Sequence, residues 1–287
     1  MPATDIIDIG GPVHVADHGG TGRLVVFVHG LEGSHLNWMA VAPLVAERHR
    51  VIVPDLSGFG LTPPVDRGSH LEANADLVAE LARKYSDAPA VLVGNSMGGL
   101  VAMLTAVRHP DVVDRLVLVN PALPPPNMIR LHPEVWLKLG GPALPVAGPH
   151  LIRLYHRTHT PEEHSKENLA FVTADPEAVD PAIAHASLAM TRLRRSMPWS
   201  ITGLVDAARS IAGYTLNRRR FDDVVHRISH PTLLIHGSVD RLVPVAAARR
   251  VAAMRPEWRL SVWEGTGHVP MIEDPERLSA ELLEFIS

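Results

Sequence analysis

Residues 90–108 read Ala-Val-Leu-Val-Gly-Asn-Ser-Met-Gly-Gly-Leu-Val-Ala-Met-Leu-Thr-Ala-Val-Arg, and they leave the chain little choice of fold. Val91 to Val93 is a short β-branched run suited to a buried strand, and Leu100 to Arg108 is rich in strong helix formers. Between them Gly94 and Gly98 flank Ser96 in a G-x-S-x-G pattern. That pattern permits a turn so tight that the serine is held strained with its hydroxyl thrust outward. The pentapeptide alone is a weak signal. The strand before it and the helix after it, with no linker between, give it mechanical meaning.

The rest of the chain repeats the same strand-and-helix alternation. Residues 5 to 18 predict one or two edge strands, and Leu24 to Val28 is a continuous apolar run expected of a strand covered on both faces. A helix over Trp38 to Glu47, a strand at Val51 to Val53, a helix over Leu71 to Tyr85 and a strand at Arg115 to Val119 follow. The pattern then changes. From Leu123 to Arg227 prolines and amphipathic pieces replace strands, which predicts a helical insertion. The sheet pattern resumes at Thr232, with a helix over Val245 to Met254, a strand at Leu260 to Trp263 and a final helix over Pro275 to Ile286. The class is therefore α/β, a mostly parallel sheet flanked by helices. The expected divisions are residues 1–122 and 229–287 for the core and 123–228 for a helical cap.

A serine hydroxyl is a poor nucleophile at neutral pH unless an imidazole takes its proton, and the resulting cation needs a carboxylate to orient and stabilise it. Two late strand ends supply candidates. Asp240 follows the strand at Leu233 to His236, and His268 follows the strand at Leu260 within Gly-Thr-Gly-His-Val-Pro. The order Ser96, Asp240, His268 is the one this architecture uses. Asp222 and Asp223 are weaker rivals because they lie near the end of the insertion. Attack on a carbonyl creates an oxyanion, for which the backbone N–H groups of Met97 and Leu31 are the expected donors. His29 reads as a loop brace. Glu32 is awkward, since a carboxylate beside an oxyanion hole opposes charge development unless its side chain turns away.

Composition removes several other classes. There are 31 acidic and 27 basic side chains, a formal charge of −4, and no long basic run to bind nucleic acid. Arg218 to Arg220, the densest basic cluster, reads as a solvated helix face. With no cysteine there are no disulfides, thiolate nucleophiles or cysteine metal sites. The chemistry outlined above calls for no metal or other cofactor, so none is expected. The acidic amino terminus lacks the pattern of a secretory signal, which leaves a cytoplasmic protein as the expectation. Residues 88 to 107 carry no charge, but the Gly-Asn-Ser-Met-Gly-Gly at their centre suits a turn, so a buried strand and helix are expected rather than a membrane span.

These features together resemble the α/β-hydrolase superfamily over essentially the whole chain. The resemblance rests on His29-Gly30, the Asp55-Leu-Ser-Gly-Phe-Gly loop, Gly94-Asn-Ser-Met-Gly-Gly, Gly237-Ser-Val-Asp-Arg-Leu-Val-Pro, and Gly267-His-Val-Pro followed by Glu273-Asp-Pro. It implies an eight-stranded sheet with a helical cap, and cofactor-free hydrolysis through Ser96, His268 and Asp240. A serine at position 96 argues against relatives that open epoxides or displace halide through an aspartate. The Gly-Asn-Ser-Met-Gly-Gly form is similar to enzymes that hydrolyse carbon–carbon bonds in ring-cleavage products. Those usually carry a glycine-rich loop after the first His-Gly and a tryptophan after the catalytic histidine, where this chain has Leu31-Glu32 and Val269. Asn120 stands where many relatives have aspartate, so no alternative acid is available there.

The expected activity is hydrolysis of a small or medium lipophilic carboxylic ester through an acyl-enzyme. Carbon–carbon bond hydrolysis is the alternative within catalysis, and a non-catalytic ligand-binding member of the fold is the alternative outside it. The partner expected is a small-molecule substrate, with neither nucleic acid nor stable membrane insertion. Trp136 and Met128 in the insertion are the candidate pocket residues, and the five cap arginines Arg153, Arg157, Arg192, Arg194 and Arg195 offer a charge that could turn inward.

Overall fold

The apolar runs become the strands of one eight-stranded sheet because a residue-by-residue alternation lets both faces be covered. The computed structural model describes residues 2–125, 140–144 and 146–287. Its strands are β1 (Ala3–Asp8), β2 (Pro12–Gly19), β3 (Leu24–Val28), β4 (Arg50–Pro54), β5 (Ala90–Asn95), β6 (Val113–Val119), β7 (Thr232–Gly237) and β8 (Arg259–Trp263). They lie in the order β1-β2-β4-β3-β5-β6-β7-β8. β1 pairs antiparallel with β2 and β2 with β4, while every later pairing is parallel.

Val26, Val28, Leu92, Leu116, Leu118 and Leu234 face one way, against α2 (Leu71–Tyr85), α3 (Met97–Arg108) and α9 (Val245–Met254). Their neighbours Val25, Phe27, Val91, Val93, Val117, Val119, Leu233 and Ile235 face the other, against α1 (Val41–Ala46) and α10 (Pro275–Ile286). Side chains of this kind contribute about 1.5–3 kcal/mol each when fully buried, so the two apolar layers dominate the stability of the sheet. The helix expected over Trp38 to Glu47 is shorter in the structure. A 3₁₀ turn at His35–Trp38 precedes α1, with Ser34 capping it. Pro43, which has no N–H to donate, is accommodated within the first turn of α1.

Between β6 and β7 run α4 (Ala147–Thr158), α5 (Pro161–Val172), α6 (Pro181–Ser196), α7 (Ser200–Thr215) and α8 (Arg218–Arg227), with no strand among the described residues of that stretch. Their starts follow local chemistry. Thr160 and Glu163 form a capping box at α5, the hydroxyl accepting from Glu163 N–H (3.2 Å) and the carboxylate from Thr160 N–H (2.7 Å). Asp180 caps α6 just before Pro181. Arg218 to Arg220 are exposed on α8 as expected, and Arg220 also pairs with Glu72 at 2.8 Å. No helix among the described residues is long and apolar enough to cross a membrane. Residues 90–108 form buried β5 and α3 instead.

The order of strands sets where ligands can enter. The chain goes from β3 outward to β4, then crosses back to β5 on the other side of β3, so the loops after β3 and β5 part company and leave a crevice at the carboxyl ends of the strands. The turn around Ser96 is built at that edge by close backbone packing. A Cβ on Gly94 would meet Gly98 O at 2.3 Å, and one on Gly98 would meet Val28 O at 2.2 Å. Gly94→Ala is therefore expected to destabilise the fold by about 3 kcal/mol or more, because the obstacle is backbone rather than a side chain that can move. Urea denaturation checks this; a loss within the scatter of surface substitutions contradicts the packing account.

Candidate active site

Ser96 closes β5 and opens α3 with φ 54° and ψ −118°, a left-handed conformation costly for a residue with a side chain. Hydrogen bonds hold it there. Its N–H donates to Val119 O (3.1 Å), and its carbonyl accepts from Gly99, Leu100 and Ala122 N–H groups (3.1, 3.3 and 2.9 Å). The neighbouring Asn95 donates through Nδ2 to Val119 O (3.0 Å) and to His268 O (3.1 Å), tying the turn to the loop after β8. A Cβ on Gly30 would lie 3.2 Å from Ser96 Cβ, so the loop after β3 presses against the serine.

The structure brings His268 and Asp240 together at this edge. His268 Nδ1 donates to Asp240 Oδ2 at 2.7 Å, both side chains being buried, which fixes the tautomer and leaves Nε2 as the basic nitrogen. Asp240 is well supplied with donors. Oδ1 accepts from Leu242 and Val243 N–H (2.8 and 3.0 Å), and Oδ2 also accepts from Asn120 Nδ2 at 2.7 Å. Burial alone would raise the Asp240 pKa, but attraction to His268 and these hydrogen bonds outweigh it and keep the carboxyl below its ordinary range. Asp222 and Asp223 lie elsewhere, in α8, paired with Arg250 and Arg227.

Residues that sequence reasoning left without a role hold this group in place. Asn120, at φ 43°, donates to Asp240 and to Gly267 O (3.1 Å) while its own Oδ1 accepts from Gly237 N–H (3.3 Å). Glu273 accepts from the N–H groups of Gly267 (3.0 Å), Val269 (3.4 Å) and Ala174 (2.8 Å). His268 N–H donates to Val172 O at 2.7 Å, so the end of α5 and the histidine loop are clasped to one another. His236 is fully buried with its pKa lowered by burial, and its neutral ring donates Nε2–H to Val243 O (2.7 Å).

On the other side of the serine, His29 is the brace that was expected. Its Nδ1 donates to Gly30 O (2.8 Å), and its Nε2 accepts from Leu56 N–H (3.0 Å). Leu31 follows Gly30 in the β3 loop, and Met97 is the first residue of α3, where helix N–H groups lack intrahelical acceptors. Glu32, at φ 56°, turns its carboxylate toward the helices: Oε1 lies 3.8 Å from Arg194 Nη1 and Oε2 lies 3.9 Å from His164 Nε2. Arg194 also donates to Glu32 O and, at 3.3 Å, to Thr191 Oγ1. Burial drives the His164 pKa down to about 4, so its approach to Glu32 is not an ion pair at neutral pH. Glu32, Phe59, His156, His164, Thr191, Arg194, Arg195, Ser200 and Leu204 line a cavity between the β3 loop and the helices. Arg194 and Arg195 both line this cavity, whereas Arg192 is exposed and pairs with Glu162. Trp136 and Met128 lie outside the described residues.

Comparison with known proteins agrees with this architecture. The family model described as alpha/beta hydrolase fold matches residues 23–275. The chain belongs to the α/β hydrolase fold family. Among curated members of the family, it is 29% identical to the 2-hydroxy-6-oxononadienedioate/2-hydroxy-6-oxononatrienedioate hydrolase of Burkholderia vietnamiensis, over 96% of this chain and 90% of that protein. It is 32% identical to the pimeloyl-[acyl-carrier protein] methyl ester esterase of Aromatoleum aromaticum, over 88% and 93%. Among solved structures, the meta-cleavage product hydrolase of Pseudomonas fluorescens shares the hydrolase fold with a TM-score of 0.76 at 22% identity, over 99% of this chain and 97% of that one.

The buried His164 generates a pH prediction. A folded-state pKa below the unfolded value means that the unfolded chain binds the proton more readily between the two, so stability falls as pH drops from about 6.5 toward 4. Replacing His164 with Gln should flatten that part of the stability curve. Thermal unfolding of both proteins at a series of pH values checks it, and parallel curves contradict the assignment.

Proposed function

We propose that this hydrolase cleaves a carbon–carbon bond in a 2-hydroxy-6-oxo-dienoate of the kind produced by aromatic-ring cleavage. The observation that carries the reading is Arg194, a guanidinium withdrawn from solvent and set in the wall of the cavity beside the β3 loop. Breaking a carbon–carbon bond requires that the leaving carbanion be made tolerable by ketonisation of the dienol, and that in turn requires a cation gripping the substrate carboxylate. An ester needs no such clamp. The activity of the Burkholderia relative supports the same choice. The expected order, ester ahead of carbon–carbon cleavage, is thereby reversed.

In this reading the helices between β6 and β7 form the cap, and Arg194 with His164 and Thr191 receives the carboxylate end of the substrate. Ser96 Oγ attacks the ketone carbon as His268 Nε2 takes its proton, and the oxyanion forms opposite the Leu31 and Met97 N–H groups. Collapse breaks the carbon–carbon bond, and the leaving carbon receives the proton from His268. Water, deprotonated by the same imidazole, then hydrolyses the acyl-serine. Asp240 keeps Nδ1 protonated and stabilises the imidazolium throughout. No metal or other cofactor enters any step.

Ester hydrolysis stands as a second reading on two specific observations. Val269 occupies the position where ring-cleavage hydrolases carry tryptophan, and the Aromatoleum esterase is 32% identical. Both readings share the same nucleophile. Ser96→Ala should lower turnover by on the order of 10⁴-fold with folding nearly unchanged, and Asp240→Asn by a comparable factor through the wrong imidazole tautomer. Retention of a tenth of the activity in either variant would remove that residue from its role.

One experiment separates the readings. The same preparation is offered nitrophenyl butyrate and a 2-hydroxy-6-oxo-dienoate, and kcat/KM is compared. A preference of about 10²-fold for the dienoate is expected, and Arg194→Gln should erase about that much of it while sparing the ester, because a charged hydrogen bond to carboxylate is lost. A preference for the ester, or equal losses on both substrates, moves the assignment to esterase.

A further inference from the structure

Away from the serine, two imidazoles and a carboxylate from three separate segments converge behind the β3 loop. His14 lies in β2, His35 begins the 3₁₀ turn after β3, and Asp55 follows β4. His35 Nδ1 is 3.0 Å from Asp55 Oδ1 and 3.1 Å from Oδ2, and His14 Nδ1 is 3.0 Å from Oδ2. One ligand atom from each of the three can be chosen so that all lie within 4.8 Å of one another, the sole such set among the described residues. Asp55 is fully buried and His14 nearly so. We infer that His14, His35 and Asp55 bind a divalent transition-metal ion, Zn²⁺ fitting the donor set best.

Loop bracing does not account for the cluster. The Asp55 carboxylate already accepts two backbone donors, His35 N–H (2.6 Å) and Leu61 N–H (2.8 Å), which suffice to pin the Asp55–Gly60 loop. His35 Nδ1 adds hydrogen bonds to both carboxylate oxygens, and only His14 is left outside this bracing. The His14 ring lies close to the carboxylate but off the line a hydrogen bond requires, so its buried Nδ1 has no hydrogen-bond partner. A buried imidazole nitrogen with no hydrogen-bond partner, set beside a carboxylate and a second imidazole, is what a shared cation explains. Ligand atoms arranged tetrahedrally around Zn²⁺ at about 2.1 Å stand roughly 3.4 Å apart, near the separations seen here.

The surroundings suit an ion of this kind. Imidazole and carboxylate donors select a borderline divalent metal, and the set of two histidines and one aspartate leaves a coordination position for water. The two backbone hydrogen bonds to Asp55 provide the outer support that orients a metal-ligating carboxylate. The His35 side chain is 12% exposed and gives the ion a way in. Binding would cross-link β2, β4 and the segment that follows Leu31 and Gly33, so the ion acts on the rigidity of the β3 loop and takes no part in bond breaking.

The test uses the full-length protein, stripped with chelator, incubated with Zn²⁺ and dialysed. Elemental analysis should find one equivalent retained per chain, lost in His14→Gln and in His35→Gln but kept in the surface control His226→Gln. Saturating Zn²⁺ at about 100 times the dissociation constant should raise the wild-type Tm by about 5 °C and leave the two site variants unmoved. Absence of retained metal, or equal retention in all variants through some of the other histidines, overturns the proposal. Should a site variant fail to fold, the wild type loaded with Co²⁺ decides. Two imidazoles coordinated through Nδ1 give two strongly shifted, exchangeable Nε2–H proton signals, and any other number contradicts the site.

Discussion

Everything at the functional edge depends on how closely the backbones of β3, β5 and α3 approach one another. Gly98 sits where a Cβ would be 2.2 Å from Val28 O, and Gly99 where a Cβ would be 2.7 Å from the side chain of Pro121. This contact fixes Ser96 in its left-handed conformation, at a cost of order 1–3 kcal/mol that only an over-determined surrounding can hold. The surrounding is over-determined here: Ser96 is bonded to β6 through its N–H, to α3 through its carbonyl, and to the segment after β6 through Ala122. The serine is thus rigid before any ligand arrives, and the same contact brings the β3 loop against it.

A second layer carries that rigidity across the sheet. Asn95, Asn120 and Glu273 each bond to two or more segments at the carboxyl ends of the strands, so the loops after β5, β6, β7 and β8 are tied to one another. Asn120 is notable because it performs a support function at a position where many relatives place an acid. Its amide donates to the Oδ2 atom that also accepts from His268. An aspartate there would set a second negative charge against Asp240, whereas the amide donates to it and adds to the larger effect of His268 in keeping the carboxyl below its ordinary range. Glu273, through Ala174 N–H, and Val172, through its carbonyl, extend the body to the helices between β6 and β7. Any movement of those helices must therefore be absorbed beyond Ala174 or be felt by His268.

The sheet and the serine turn were legible in the sequence because each is set by local chemistry: period-two apolar runs for the strands, glycine spacing for the turn. Asp240 and His268 were legible by position, at strand ends in the order the fold demands. The supports were not. Asn120 and Glu273 could be placed in the chain, but their partners are up to 147 residues away, and no periodicity encodes such a pairing. Arg194 was one of five similar arginines on helices whose inward faces sequence pattern does not fix. His14 and His35 were two of 17 histidines, 21 positions apart, and only the crossing of β2 beside β4 and β3 brings them to Asp55. The signal that could have singled out Asp55 is its loop, where Gly60 leaves space that a Cβ would lose to the carboxylate at 2.1 Å.

The pairing of Glu32 with Arg194 bears on selectivity in a way that neither residue does alone. An unpaired guanidinium in this cavity would be costly to bury, and the Glu32 carboxylate offsets that cost at 3.8 Å without occupying the whole fork. Arginine presents five N–H groups, of which the protein uses those directed to Glu32 and Thr191, so donors remain for a second carboxylate. Such a ligand must approach with Glu32 already in place. On the proposed reading, the cavity then favours a monoanionic head held by the remaining donors of Arg194 and disfavours a second charge on the Glu32 side. The same geometry answers the objection that a carboxylate beside the Leu31 N–H opposes an oxyanion. Glu32 is drawn toward α6 by the positive charge of Arg194, so the field it adds at the β3 loop is largely that of a neutral pair.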